Sequence, residues 1–321
     1  MWCARARQRW RRSAVSRFLP EGWDSPGRHQ VVGLSAGAAV WLETAPDGRL
    51  AWQHTTWSAT PSGSEAAAAM ASVTARLRGA ANRRLSWILA PGLAPSWLQP
   101  PSTQVTSLEE LHAVARARAS QLFGQPVSPV AAEVTWNVMA DWHAHRPFVC
   151  VAVPTGWQQL LQADDNNQSG RYPSAVAHPL LLALSRFPKQ LPKDGWLALV
   201  LAGEVHLMHR HRGQLTRLRN LRLPPDASPA RIQALALEEW QREMLRSELP
   251  GDQLSWLDLV SPPHTSADAA PLRRIAWIAN ARLPAPLVPT FSNETPAHQA
   301  AWYDAMQTAW TAEQLLSGDW R

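Results

Sequence analysis

The residues able to do chemistry in this chain are scattered, and few share a spacing that chemistry demands. His143-x-His145 and His209-x-His211 each place two imidazoles on one face of a strand, with His206 nearby. Such a pair suits a metal ion such as zinc. However, Arg210 and Arg212 flank the second pair, and no Cys or carboxylate cluster joins either one. Both pairs read as solvated strand ends. Asp164-Asp165-Asn166-Asn167 lacks the spacing of a calcium loop and reads as surface loop. No G-x-S-x-G, H-E-x-x-H or C-x-x-C occurs, so hydrolase and redox chemistry have no anchor. What remains is Gly33-x-x-x-Gly37, a weak signal for a turn that approaches phosphate.

The elements that would position these residues follow a repeated order. Val31–Leu34 is a short apolar run, and Ser35-Ala36-Gly37-Ala38 is a small-residue turn. Ala39–Thr44 and Leu50–Trp57 read as two more strands around the turn signal Pro46-Asp47-Gly48. An Ala-rich helix spans Glu65 to Arg78, then Leu85–Ala90 reads as a buried strand. A Pro-rich stretch leads to Ser107-Leu108-Glu109-Glu110, a capping box opening a helix to about Phe123. Val134–Met139 and Phe148–Val153 are further strands, and a helix near Ser174–Phe187 starts late or kinks at Pro179.

The second half repeats the plan. Trp196–Ala202, Glu204–His211 and Leu215–Leu223 form another meander, with turns at Gly203 and Arg212-Gly213. Ser228-Pro229 opens a helix to about Ser247, and Ser255–Val260 is a strand. Leu272–Ala279 fits helix or strand equally, and a last helix starts at Thr295-Pro296. Two meanders, each followed by helix and strand, predict an α/β fold of two lobes: the actin-like, ribonuclease-H-like architecture. The expected units are an arm over 1–28, a first lobe over 29–172 and a second over 173–321.

Composition narrows the function classes. The 321 residues are 45% hydrophobic, enough for a large core. No run reaches the roughly 18 apolar residues of a membrane span. Two cysteines exclude a disulfide framework and fit a reducing compartment. The net charge of +6 comes mostly from the first 28 residues, with Arg5, Arg7, Arg9, Arg11 and Arg12. That arm lacks the apolar stretch of a secretory signal and suits an anionic membrane surface. The eighteen Trp read as core and sheet-face packing rather than base-stacking platforms. Val31–Ala39 contains no Asp or Glu, so the metal-dependent nuclease and nucleic-acid reading of this architecture lacks its first carboxylate.

Several segments resemble one family. They are Val31-Val32-Gly33-Leu34-Ser35-Ala36-Gly37, the capped helix Ser107–Phe123 with Arg116 and Arg118, Phe148–Pro154, Ala177–Arg186, and Gly195-Trp196. Over roughly residues 30–260 the chain resembles PilM-type actin-like proteins of type IV pilus assembly, the related MshI, and the cytoplasmic domain of the type II secretion L component. The resemblance implies a cytoplasmic platform protein, peripheral to the inner membrane. Its partners would be the cytoplasmic tail of a bitopic membrane protein and the assembly ATPase, with no specific nucleic acid.

In nucleotide-binding actin-like proteins, the first hairpin turn of each lobe cradles phosphate and carries an Asp for Mg²⁺. Here Ser35 stands at the first acid position. The second turn, Val200-Leu201-Ala202-Gly203-Glu204, has one Gly, no Asp, and Glu204 one position late. The expectation is a degenerate nucleotide cleft of Gly33, Ser35, Gly37, Ala38 and Gly203. It would carry no catalysis, metal or cofactor beyond vestigial ATP binding. An actin-like ATPase is the alternative.

Overall fold

The computed structural model describes residues 29–44, 50–58, 63–78, 84–102, 104–126, 135–143, 145–166, 175–186, 191, 193–201, 203–224, 227–247, 254–256, 276–277 and 296–317. The first meander is β1 (His29–Leu34), β2 (Ala38–Thr44) and β3 (Leu50–Thr56), paired antiparallel. Helix α1 (Gly63–Arg78) then carries the chain to β4 (Arg84–Leu89), which pairs parallel to β1. Parallel neighbours need a crossover, and the Ala-rich sequence supplies a helix for it. β8 (Ala175–Ala177) pairs parallel to β4, giving the order β3-β2-β1-β4-β8.

The second meander is β9 (Gly195–Leu201), β10 (Glu204–His211) and β11 (Gln214–Arg222). Arg212 (φ 51) and Gly213 (φ 74) form the two-residue loop between β10 and β11, as a tight hairpin requires. Helix α5 (Pro229–Ser247) crosses to β12 (Leu254–Trp256), parallel to β9. β13 (Ala276–Trp277) pairs with β9 further along, so the segment that fitted helix or strand is strand there. The plan of the first sheet thus recurs, and the two-lobed actin-like arrangement expected from the sequence is present.

Both central strands are covered on both faces, which explains their continuous apolar runs. On β1, Val32 and Leu34 face a core with Met70 and Val73 of α1. Val31 faces the opposite way, into a core shared with Leu197, Leu199 and Leu201 of β9. Helices α4 (Pro179–Arg186) and α6 (Pro296–Ser317) contribute Leu180, Leu182, Ala309 and Ala312 to that shared core. The other face of β9, with Trp196 and Val200, packs on Ile232 and Ala236 of α5. The two lobes are therefore joined by one continuous core between their sheets. β8 and α6 both follow residue 172, yet β8 pairs in the first sheet and α6 packs against β1 and β2.

Two features differ from the sequence expectation. First, the Pro-rich stretch after β4 holds a strand, and β6 (Trp136–Ala140) and β7 (Phe148–Pro154) sit with it and not in the first sheet. With β5 (Ser96–Gln99) they form a separate antiparallel sheet, ordered β5-β7-β6. Pro95 and Pro100 bracket β5 and hide it from pattern reading, because prolines are tolerated at strand ends. Helix α2 (Leu108–Phe123) covers this sheet through Leu111, Ala115 and Ala119. Its capping box is formed: Glu110 N–H donates to Ser107 Oγ at 3.1 Å, and Ser107 N–H donates to Glu110 Oε2 at 3.3 Å. Second, Asp164-Asp165-Asn166 ends a helix, α3 (Thr155–Asn166), instead of opening a loop. Trp157 and Leu161, four apart, bury one face of α3 in the first lobe. Trp87, Trp157, Trp196 and Trp302 are fully buried, in line with the packing role read for tryptophan.

Candidate functional site

The first turn lies between Leu34 and Ala38, and Ser35 and Ala38 are engaged on both sides of it. Ser35 N–H donates to the Ala38 carbonyl at 2.9 Å, and Ala38 N–H donates to Ser35 Oγ at 3.1 Å. The Ser35 hydroxyl donates to the Ala301 carbonyl of α6 at 2.8 Å. Trp57 N–H and its indole N–H donate to the Gly37 and Ala36 carbonyls at 2.9 and 2.7 Å. A phosphate cradle needs convergent backbone N–H groups turned toward the anion. The N–H groups of Ser35 and Ala38 are bonded within the turn. Ser35 is 3% exposed, and Ala38 is buried against Trp302, Ala305 and Met306.

Helix α6 reaches this position because Gly33 lets it. A Cβ at Gly33 would lie 1.9 Å from the Ala305 carbonyl oxygen and 2.7 Å from Ala309 N. The helix backbone therefore presses on the strand backbone, which only glycine permits.

The same helix meets the second turn. Gly203 has φ +79, and a Cβ there would lie 2.6 Å from Gln307 Oε1. Leu223 N–H donates to the Gly203 carbonyl at 2.8 Å. Ala202 lies outside the described residues. Glu204 opens β10, and burial pushes its carboxyl up to about 7, with Arg222 opposing the shift and Asp304 adding to it. Arg222 forms an ion pair with Asp304 of α6, over Gly92 of the first lobe. Deeper in, His206 is fully buried and shares a hydrogen bond of 2.9 Å with Asn220 Oδ1. Asn220 Nδ2 donates across the lobes to the Ser96 carbonyl at 2.7 Å and to Ser96 Oγ at 3.0 Å. His178 is equally buried and accepts the Leu180 N–H at Nδ1, 3.2 Å away. Burial holds His178 down at about 3 and His206 at about 4, so both are neutral.

No family model and no curated protein matches this chain. Among solved structures, it is similar to a Bacteroides thetaiotaomicron protein with an actin-like ATPase fold and unknown function. That match has 12% identity and a TM-score of 0.41, over 71% of this chain and 81% of that one. It is also similar to the PilM-PilN type IV pilus biogenesis complex, at 13% identity and TM-score 0.40, over 73% and 82%. A third likeness is to the cytoplasmic domain of EpsL, an inner membrane component of the Vibrio cholerae type II secretion system. It has 15% identity and TM-score 0.39, over 91% and 99%. The architecture given above stands on strand order and register alone.

Of the residues expected in the cleft, Gly33, Ser35, Ala38 and Gly203 all border α6, and Gly37 closes the first turn through Trp57. Arg5, Arg7, Arg9, Arg11 and Arg12 lie outside the described residues. The sequence reading missed the helix residues between the turns: Ala301, Asp304, Ala305 and Gln307. One signal pointed to them. Ala301, Ala305, Ala309 and Ala312 repeat small side chains along one stripe of α6, and its Thr308 and Thr311 are buried as well. A helix buried on more than one side belongs inside a molecule.

The set does not fit a magnesium nucleotide. Mg²⁺ takes several hard oxygens in near-octahedral array. Among the described residues at the two turns, the carboxylates are Asp304, paired to Arg222, and Glu204, whose burial favours the protonated form. Among the described residues no group of three His, Cys, Asp or Glu is placed to hold a metal. His209, half-buried beside Trp196, bonds Thr216 Oγ1 at 2.6 Å, and exposed His211 sits 3.3 Å from Asp194. Among the described residues no helix is long and apolar enough to cross a membrane.

Proposed function

We propose that this chain is a non-catalytic, actin-like scaffold of an inner-membrane assembly platform for a type IV pilus or a type II secretion system. In this reading it sits in the cytoplasm, peripheral to the membrane, and binds the cytoplasmic tail of a bitopic partner. The assembly ATPase is a second contact.

The observation that carries the non-catalytic part is the Ser35 hydroxyl. Its proton goes to the Ala301 carbonyl and its lone pair takes the Ala38 N–H. The group standing where an acid would serve Mg²⁺ instead ties the first lobe to α6. The scaffold part draws on the resemblance of Val31–Gly37, Ser107–Phe123 and Ala177–Arg186 to pilus-assembly proteins. It also draws on the joined core, because a scaffold needs its lobes held in one relation. The basic arm suits an anionic surface, each Arg contributing on the order of 1 kcal/mol there.

Co-expression with the tail of a single-pass partner encoded alongside is the test. Co-purification together with a raised melting temperature is expected, since a ligand of the folded state stabilises it. Absence of both the complex and the thermal shift removes the scaffold reading.

A further inference from the structure

Two fully buried imidazoles stand between the sheets, and their hydrogen bonds fix where each proton sits. His178 precedes α4, and its Nδ1 accepts the Leu180 N–H at 3.2 Å. That nitrogen is an acceptor, so the neutral ring carries its proton on Nε2. His206 is the reverse. The Asn220 amide donates from Nδ2 to the Ser96 carbonyl at 2.7 Å and to Ser96 Oγ at 3.0 Å. Its Oδ1 is therefore the atom turned to His206 Nδ1, 2.9 Å away. A carbonyl oxygen only accepts, so His206 Nδ1 carries the proton and Nε2 keeps a lone pair.

The two groups left over are complementary. His178 Nε2–H is a buried donor and His206 Nε2 a buried acceptor, and among the described residues neither closes a hydrogen bond. Unpaired buried polar atoms are costly, and native interiors keep few of them. Both rings lie against one short stretch of chain. The Ala94 carbonyl acts on His178 as an acceptor without closing a bond, and Asn220 ties His206 to Ser96, two residues on. The rings are also close enough that a charge on His206 weakens proton binding at His178. Glu204 Oε2 lies 4.0 Å from His206 Nδ1, on the side already bonded to Asn220. A metal ion does not suit the pair, because it needs a lone pair from each ring and His178 presents an N–H. A water molecule does. It accepts from His178 Nε2–H and donates to His206 Nε2 and to the Ala94 carbonyl, within the range of partners a buried water takes.

We infer that His178 and His206 hold opposite neutral tautomers and share one buried water. The three form a polar latch that joins β10 of the second sheet to the Ala94–Ser96 stretch and to the start of α4. The latch fixes the spacing of the two lobes without an ion pair. It is independent of the partner reading above.

Isotope-edited NMR of the full chain, labelled in its histidine nitrogens, is the test. Two imidazoles should stay uncharged from about pH 5 to pH 8, one with its proton on Nε2 and the other on Nδ1. Spectra of His178→Phe and His206→Phe assign them. The His178 Nε2–H signal should show a cross-peak to a long-lived water and no coupling to a His206 nitrogen. Thermal melting adds a second readout. Each single variant should lower the melting temperature, and the double variant should melt no lower than the worse single, because one shared water is lost only once. If a single variant does not fold, the unmodified chain still decides through its tautomers, its water cross-peak and the nitrogen–nitrogen coupling. Protons on the same nitrogen of both rings, or either ring charging within that range, overturns the latch. So does coupling between the two Nε2 atoms, which would mean that the rings bond directly. An absent water cross-peak, or melting losses that add in full, contradicts it equally.

Discussion

The two turns that border α6 are equivalent in topology, yet different physics closes each. The first is closed by backbone. Ser35 and Ala38 bond each other, Ser35 bonds Ala301, and Gly33 lies under the α6 main chain. It holds no charge. The second is closed by side chains. Gln307 lies over Gly203, and Glu204, Arg222 and Asp304 surround it with opposed charges. A main-chain contact cannot be moved by a rotamer change, whereas a Gln side chain can swing away. The first turn is therefore the rigid anchor of α6, and the second is the adjustable and titrating one.

The sharpest way to break this contrast is Gly33→Ala. Its Cβ would meet a backbone carbonyl at 1.9 Å, so β1 and α6 must separate. A loss of about 3 kcal/mol or more is expected, at the upper end for overpacking. No side-chain substitution on α6 should restore it, because the obstacle is main chain. Thermal melting of Gly33→Ala alone and with Gln307→Ala checks this. Recovery in the double variant would show that Gly33 is not held as described.

The titrating side predicts a pH profile. His206 and His178 hold about 4 and about 3 in the folded state, against 6.5 ordinarily, because burial disfavours their charged forms. The unfolded chain takes protons that the folded chain refuses, so stability is lost as pH falls below about 6.5. For His206 the loss between that pH and its folded value is roughly 3 kcal/mol. Glu204 works in the opposite sense. Its folded value of about 7 lies above its ordinary 4.5, so its contribution is lost as pH rises through that window. Burial also raises Asp304 and lowers His112 and His209, so lowered histidines outnumber raised carboxyls and net stability climbs from acid toward pH 6.5. Denaturant unfolding across this range is the measurement. His206→Gln should flatten the acid limb, and Ser35→Ala should leave the shape of the profile unchanged.

A smaller effect is expected at Gly203→Ala, about 1–2 kcal/mol, from its positive φ together with the Gln307 contact. Gln307→Ala should relieve the contact and leave the φ strain. A double-mutant cycle showing partial rescue here, and none at Gly33, is the expected pair of results.

Much of this fold was legible because local signals were strong. Arg212-Gly213 fixed one hairpin, Ser107 with Glu110 fixed the start of α2, and Pro179 marked the late start of α4. The apolar runs of β1 and β9 showed strands covered on both faces. What escaped was hidden locally or depended on distance. Prolines concealed β5, and the polar end of α3 resembled a loop. The candidate site was half legible. Gly33, Ser35 and Gly203 stood out by type and spacing. The contact that defines them, Ser35 with Ala301, joins residues 266 positions apart. No local pattern carries that pairing. The link from buried His206 through Asn220 to Ser96 is of the same kind.

On the proposed reading, α6 packed against both turns leaves no seat for a nucleotide there. Calorimetric titration of Mg-ATP into the intact chain, and into Ser35→Asp, tests it most directly. Restoring the acid does not remove α6, so neither protein should give saturable heat. Micromolar binding by the unmodified chain would contradict the account.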